Sequence, residues 1–471
     1  MRIRDDLKPV DLKSKLARMW ELSAAKIHSL EKSCPPGSPS PVFTIKGRYT
    51  ARGWTEWTQG FQYGSSALQF DATGDKTFLE LCRDRTLNVM APHLTHIGVH
   101  DHGFNNVSTY GNLLRLADEG RYDATEYEKH FYELAMKSSG AVQAARWTPI
   151  PDGGYIYSFN GPHSLFVDTI RSLRALALAH KLGHALMGEK DEKISLLGRL
   201  LQHAHATVKY AVYYGVGRDS YDTKVLRGRT VHESVFNVND GSYRCPNSQQ
   251  GFSPFTTWTR GLAWAMLGFA EELEFLATLS DAEFAPFGGH DAALKPLLDG
   301  ARATCDFWLQ HTPLDGIPYW DTGAPDLHKL GDTLSKPADP FNAHEPVDSS
   351  AAAIACQGLI RMGRHLESTD AIAAKNYFQA GLTVLDRLLE EPYLGTDSKH
   401  QGLLLHSVYH RPNGWDHIPE GQSVPCGEAC QWGDYHLREA ALLVQRMAEN
   451  KPYLTFFGPV VSTSLNDRKT Q

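Results

Sequence analysis

The sequence is poor in cysteine, in continuous apolar text and in basic charge. Its cysteines are Cys34, Cys82, Cys245, Cys305, Cys356, Cys426 and Cys430. An odd, scattered set reads as reduced thiols of a cytosolic protein, not as a disulfide framework. Cys426 and Cys430 have the spacing of half a metal site, but no second pair accompanies them, and incidental thiols are the plainer reading. No apolar run approaches the ~18 residues of a transmembrane helix, so no membrane partner is expected. The opening MRIRDDLKPVDLKSKLARMW lacks the apolar core of a secretory leader, and the expected location is cytoplasmic. Lys and Arg number 47 against 54 Asp and Glu, a net charge of −7. The missing basic footprint speaks against a nucleic-acid partner. An anionic substrate would have to be held by a few placed cations. No GxGxxG or P-loop follows a strand, which disfavours nucleotide folds. No period of 33–47 residues repeats, which disfavours an open solenoid.

What is present is helical periodicity. Apolar residues recur at i, i+3, i+4 and i+7 over 9–33, 57–73, 76–93, 104–118, 125–146, 164–183, 193–215, 256–276, 291–311, 349–367, 370–391 and 431–450. Thr125, Ser164 and Ser349 are the expected N-caps, and Gly74, Gly120 and Gly183 the expected stops. Strand-like text is confined to 226–237 and 403–409. AAAIACQGLIRMG (351–363) and RGLAWAMLGFA (260–270) put small residues on apolar faces, which permits close helix approach. Twelve helices with such faces predict an all-α (α/α)6 toroid of six hairpins, with minor β-hairpins. The expected domain is single, 1–471, with 1–8 and 452–471 as peripheral termini. The long links 95–103, 147–163, 216–255, 312–348 and 392–430 hold too many aromatic and His residues to be linkers, and are expected to wall a pocket at one end.

Three stretches could carry chemistry. In His96-Ile-Gly-Val-His100-Asp101-His102-Gly103-Phe104, Asp101 is open to three readings: a helix cap, a metal ligand beside His100, or a catalytic carboxylate. Asp168, in SLFVDTIRSLRALALAH, would share a small, apolar helix face with Ser172 and Ala175 and has no cation a turn away. Its pKa should rise, making it a proton donor, unless a neighbouring helix satisfies it. In Gln250-Gly-Phe-Ser-Pro-Phe-Thr-Thr-Trp258-Thr-Arg260-Gly-Leu-Ala-Trp264, Arg260 suits bidentate carboxylate capture, with Trp264 one turn on as a stacking face. The alternative is an ion-paired Arg with a core Trp. His232 stands alone in a link, where a His is more often structural.

WTQGF (57–61), HDHGF with TYGN (100–104, 109–112), FVDT (166–169), Gln250-Gly with WTRGLAWA (258–265), DSSAAAIA (348–355) and QWGDYHLREAAL (431–442) resemble, in order, motifs of the unsaturated glucuronyl hydrolases, glycoside hydrolase family 88. The related rhamnogalacturonyl hydrolases of family 105 typically read RGNGW where this chain reads RGLAW. The resemblance implies an (α/α)6 barrel that removes a 4,5-unsaturated uronic acid from the non-reducing end of oligosaccharides made by polysaccharide lyases. It implies no metal or organic cofactor. It makes Asp168 the proton donor and water activator, and Asp101 the second essential carboxylate. It makes Trp57, His100, Trp147, His232, Gln250, Arg260 and Trp264 the substrate contacts. Where many members continue the FVDT-like segment with Met-Met-Asn-Leu, this chain has Ile170-Arg171-Ser172-Leu173, so the local pocket hydrogen bonds of that Asn are not expected to carry over. Alternatives are a family 105-like activity, an ordinary two-carboxylate glycosidase or uronate lyase on the same barrel, and a non-catalytic sugar-binding protein.

Overall fold

A computed structural model describes residues 1–54 and 56–458. Twelve principal helices alternate between two environments in chain order. Lys13–Ser33, Lys76–Val89, Glu126–Ala145, Leu196–Ala211, His290–His311 and Ala371–Leu388 bury one face each. Lys13–Ser33, for instance, buries Leu16, Met19, Trp20, Ser23, Ile27 and Leu30, one face at intervals of three and four. The helices between them are buried nearly all round. In Thr259–Leu276 every residue is buried, and in Ser349–Leu366 nearly every one. The inner ring runs Gln59–Thr73, His102–Asp118, Thr169–Lys181, Thr259–Leu276, Ser349–Leu366 and Gln431–Ala448, whose last member packs back on the first. This is the (α/α)6 toroid.

Small residues close the ring. A Cβ on Gly103 would lie 2.2 Å from the Ser172 carbonyl oxygen, and one on Gly358 would lie 2.9 Å from the Leu267 nitrogen. Only glycine lets these neighbouring inner helices approach so nearly. Charges fill the ring's centre. Arg171 pairs with Glu271 at 2.6 Å and Glu439 at 2.9 Å, and Arg174 faces the same two carboxylates at 3.5 and 3.8 Å. All four side chains are buried, so each depends on the others for its solvation.

Helix boundaries follow the sequence closely, with one consequential exception. Thr125 caps Glu126–Ala145 through a capping box with Glu128. The helix expected at 164–183 instead opens as a strand. Ser164–Phe166 pairs with Glu233–Phe236, which pairs with Tyr243–Asn247, and helix resumes only at Thr169. Ser164 is therefore not a cap. Neither is Ser349, whose predecessor Asp348 accepts from the Ser350 N–H. The second expected strand, 403–409, makes only isolated bridges, Leu394 with Leu404 and Leu405 with Ala429. Further short hairpins, Pro41–Ile45 with Arg48–Ala51 and Trp147–Ile150 with Gly153–Ile156, lie in links. The N-terminus lies on the outer helix Ala371–Leu388, where Arg4 bonds Asp386 and Gln379 donates to the Leu7 carbonyl, whereas 452–458, expected at the periphery, packs on the inner ring, with the Leu454 carbonyl accepting from Arg361 and Phe457 against Phe275 at 5.4 Å. Residues 459–471 of the expected C-terminal periphery lie outside the described residues. No described helix is long and apolar enough to cross a membrane.

Candidate active site

At one end of the ring the links converge on a cavity of about 550 Å³. Its floor is an imidazole between two carboxyls. His100 Nε2 lies 3.3 Å from Asp168 Oδ2 and 3.8 Å from Asp101 Oδ1. Asp101 stands at the start of the helix from His102, but its side chain makes no capping hydrogen bond. The capping reading thus fails, and the carboxyl is left for the cavity. His102 faces away, bonded to Ser139 and to the His96 carbonyl.

Asp168 sits where the strand ends and the helix has not begun. Its position is set by the neighbouring strand segment, since the Val167 N–H donates to the His232 carbonyl at 2.9 Å. The same pairing places His232 Nε2 3.8 Å from Asp168 Oδ1. The N–H groups of Gln249 and Gln250 both donate to His232 Nδ1, at 3.0 and 3.2 Å. That nitrogen must be the unprotonated one, so Nε2 carries the hydrogen toward Asp168. Burial pushes the His232 imidazole down to about 4, which keeps it neutral.

The expected raised pKa at Asp168 is overturned. Burial pushes its carboxyl up, but the hydrogen bond and charge of His100, with His232 close behind, outweigh burial and leave it below its ordinary value. Helical spacing missed these partners because they arrive from a loop and a strand. The raised carboxyl is Asp101, through burial and then the charge of Asp168, in spite of His100. His100 itself is raised: burial disfavours its cation, but Asp101 and Asp168 more than compensate.

Ser172 does the local work left open by the missing Asn. Its Oγ donates to the His100 carbonyl at 2.7 Å and accepts from the Gly103 N–H at 2.8 Å. Gln143 Nε2 donates to both the His100 carbonyl and Ser172 Oγ at 2.9 Å. The loop carrying His100 and Asp101 is thereby fastened to the helix that follows Asp168.

Of the expected contacts, Trp57, His100, Gln250, Arg260 and Trp264 line the cavity. Trp57 stacks on Trp432 at 4.9 Å, and Trp264 packs against Phe104 at 4.8 Å. His232 stands behind Asp168. Arg260 does not offer the open fork expected of it. It is buried, with Nη1 donating to Asp348 Oδ2 and to the Val408 carbonyl, and Nη2 donating to Gln250 Oε1 at 2.8 Å and the Tyr409 carbonyl at 2.7 Å. It fixes the Gln250 amide instead of grasping an anion. Trp147 is outside the cavity. The 147–163 link turns into a hairpin over the helix Leu196–Ala211, where the Arg199 guanidinium covers the Trp147 ring at 3.9 Å. Glu56, Phe159, Tyr409, His410 and Trp415 also line the cavity and were not singled out from sequence. Glu56 had a signal in its neighbour Trp57. The others come from irregular links, where no periodicity marks which side chains turn inward.

No protein-family model matches the chain. Among curated proteins it is similar to an unsaturated glucuronyl hydrolase of Formosa agariphila, 24% identical over 388 residues, covering 82% of this chain and 79% of that protein. It is 25% identical over 406 residues to an unsaturated glucuronyl hydrolase of Bacillus sp. (strain GL1), covering 85% of this chain and 89% of the relative. Among solved structures, one described as UGL with dGlcA-Glc-Rha-Glc superposes with a TM-score of 0.68 at 20% identity, over 92% of this chain and 97% of that one.

Proposed function

We propose that this relative of the unsaturated glucuronyl hydrolases is a glycosidase acting on lyase-generated oligosaccharides. It removes the 4,5-unsaturated uronic acid from the non-reducing end by hydrating the C4=C5 bond. The observation that carries this is the floor of the cavity: Asp101 and Asp168 on either side of one imidazole, in a closed pocket walled by aromatic rings. One oxygen of each carboxyl and a His100 nitrogen lie within 4.8 Å of one another. That is tighter than the ~6.5–9.5 Å by which an inverting glycosidase admits water at C1 and near the ~5–5.5 Å of a retaining one, so the spacing speaks against inversion alone.

The substrate's terminal ring is an enol ether conjugated to a carboxylate. Asp168 delivers a proton to C4, and the His100 cation, which the two carboxyls favour, stabilises through the 3.3 Å contact the carboxylate left behind. An arriving uronate anion raises the pKa of both carboxyls, so binding itself favours proton loading of Asp168. Water, with Asp168 as its base, adds at C5, where positive charge develops and Asp101 assists. The hemiketal then opens and releases the aglycone. Gln250, with Oε1 taken by Arg260, turns its amide N–H donors to the substrate carboxylate. The chain serves as one catalytic domain, with 1–8 at its periphery. The seven unpaired cysteines suit the reducing cytoplasm.

Isotopes test the reaction. In heavy water the product should carry solvent deuterium at C4. In oxygen-18 water the label should enter at C5, while the released sugar keeps its glycosidic oxygen. Label at C1 and none at C4 would replace hydration with ordinary glycoside hydrolysis.

A further inference from the structure

The loop from His96 to Phe104 carries a metal-ligand pattern that catalysis leaves only partly used. His102 is turned away, bonded to Ser139 and the His96 carbonyl. Folding brings in another carboxyl in its place, Asp168, 68 residues from His100 along the chain. His100, Asp101 and Asp168 are all buried, and one ligand atom from each lies within 4.8 Å of the other two.

The cluster is short of counter-charge. Neither carboxyl has an Arg or Lys as salt-bridge partner among the described residues; their ion-pair contacts are His100 and His232. Arg146, whose charge reaches both Asp101 and His100, donates to the carbonyls of Ile97, Tyr157 and Ser158 instead. Asp101 stands at a helix start without a capping hydrogen bond. Asp168 Oδ1 and His100 Nδ1 are buried with no hydrogen-bond partner among the described residues. A buried carboxylate in this state is stabilised by a bound cation.

We propose that His100, Asp101 and Asp168 form an inhibitory site for a divalent transition metal of the Zn²⁺ class, with His100 Nε2 and one oxygen of each carboxyl as ligands. Bonds of about 2.0–2.2 Å at tetrahedral angles place neighbouring ligand atoms about 3.3–3.6 Å apart. The 3.3 Å contact of His100 with Asp168 has that spacing, and the 3.8 Å contact with Asp101 is near it. Asp101, held by no cap, closes the remaining edge by a side-chain rotation. His232 cannot join, because its Nδ1 accepts two backbone N–H groups and its Nε2 carries the hydrogen. An imidazole between carboxylates suits Zn²⁺ or Co²⁺, whereas Mg²⁺ and Ca²⁺ take oxygen ligands. The metal fills the place of the proton between His100 and Asp168, so Asp168 can act neither as acid nor as base. That consequence rests on the hydrolase function proposed above; the binding does not.

The probe is ZnCl₂, titrated by calorimetry into the full chain after EDTA treatment and dialysis. One tight site should appear. Asp101→Asn and Asp168→Asn should each weaken it at least about a hundredfold, beyond the ~10–100-fold typical of losing an outer partner of a ligand. Co²⁺ gives a readout that needs no variant: its visible bands should be those of a nitrogen–oxygen site, without a thiolate charge-transfer band. Zn²⁺ should stop the loss of enoate absorbance and EDTA should restore it, while Mg²⁺ and Ca²⁺ at the same concentration should do neither. No tight Zn²⁺ site, an affinity unmoved in both Asn variants, or a thiolate band with Co²⁺ would overturn the inference. Zn²⁺ held at these residues in a chain that turns over no unsaturated oligosaccharide would count against the hydrolase function and leave the metal site standing.

Discussion

Ser172→Ala is the substitution whose consequence can be worked furthest. Ser172 is wholly buried, and its Oγ is the acceptor for the Gly103 N–H and a donor to the His100 carbonyl. Alanine leaves the carbonyl with Gln143 as its remaining donor and leaves the Gly103 N–H with none. An orphaned buried N–H costs about 1–3 kcal/mol, and the lost bond to the carbonyl about 1 more. The sum, about 2–4 kcal/mol, is large for one hydroxyl. It should appear as a lower urea midpoint with unchanged slope. The catalytic effect should be separate and local. With its carbonyl half-released, His100 holds Asp168 less firmly, and kcat should fall by roughly ten- to a hundredfold with a smaller change in KM. A stability loss below ~0.5 kcal/mol together with wild-type kcat would refute the reasoning, because the loop would then be held by something other than Ser172.

Asp168→Asn keeps the size of the side chain but can neither donate the C4 proton nor take one from the attacking water. Turnover, followed as loss of the near-UV enoate absorbance, should drop by ~10²–10⁴ while calorimetric binding of the substrate persists. Arg260→Lys replaces a planar fork that bonds Asp348, Gln250 and two carbonyls with a single point charge. Gln250 should lose its fixed orientation and KM should rise about tenfold; unchanged KM would mean that Gln250 does not need Arg260.

The ring was legible in the sequence because its helices are long and its small residues fall where helices touch. What lay between helices was legible only in part. Asp168 drew attention as an unpaired acid on an apolar face, yet it stands off the helix, and its partners His100 and His232 come from distant text. Periodicity describes neighbours along one element and is silent about a strand 65 residues away. Arg260 suggested an anion clamp because its planar fork suits a carboxylate and Trp264 shares its helix face. Its acceptors, Asp348, Val408 and Tyr409, are supplied by folding. Trp147 looked like a stacking ring until its link proved to be a hairpin turned outward, with Arg199 as its partner. Tyr409, His410 and Trp415 belong to a link with no period, and in such text only topology decides which side chains reach the floor.

The charges at the centre of the toroid bear on how the chain can be made. Arg171 and Arg174 share two counter-ions, Glu271 and Glu439, and the second is synthesised some 265 residues after them. Until then each guanidinium lacks half its compensation, and a buried pair missing one partner is destabilised by about 3–5 kcal/mol. The arc formed by the first five hairpins also has two open edges, Gln59–Thr73 and Ser349–Leu366, that only Gln431–Ala448 can join. Such an arc has no closed intermediate to rest in. Ring closure waits on the final helix, and a chain released short of Gln431 exposes two apolar helix faces to the cell's proteases.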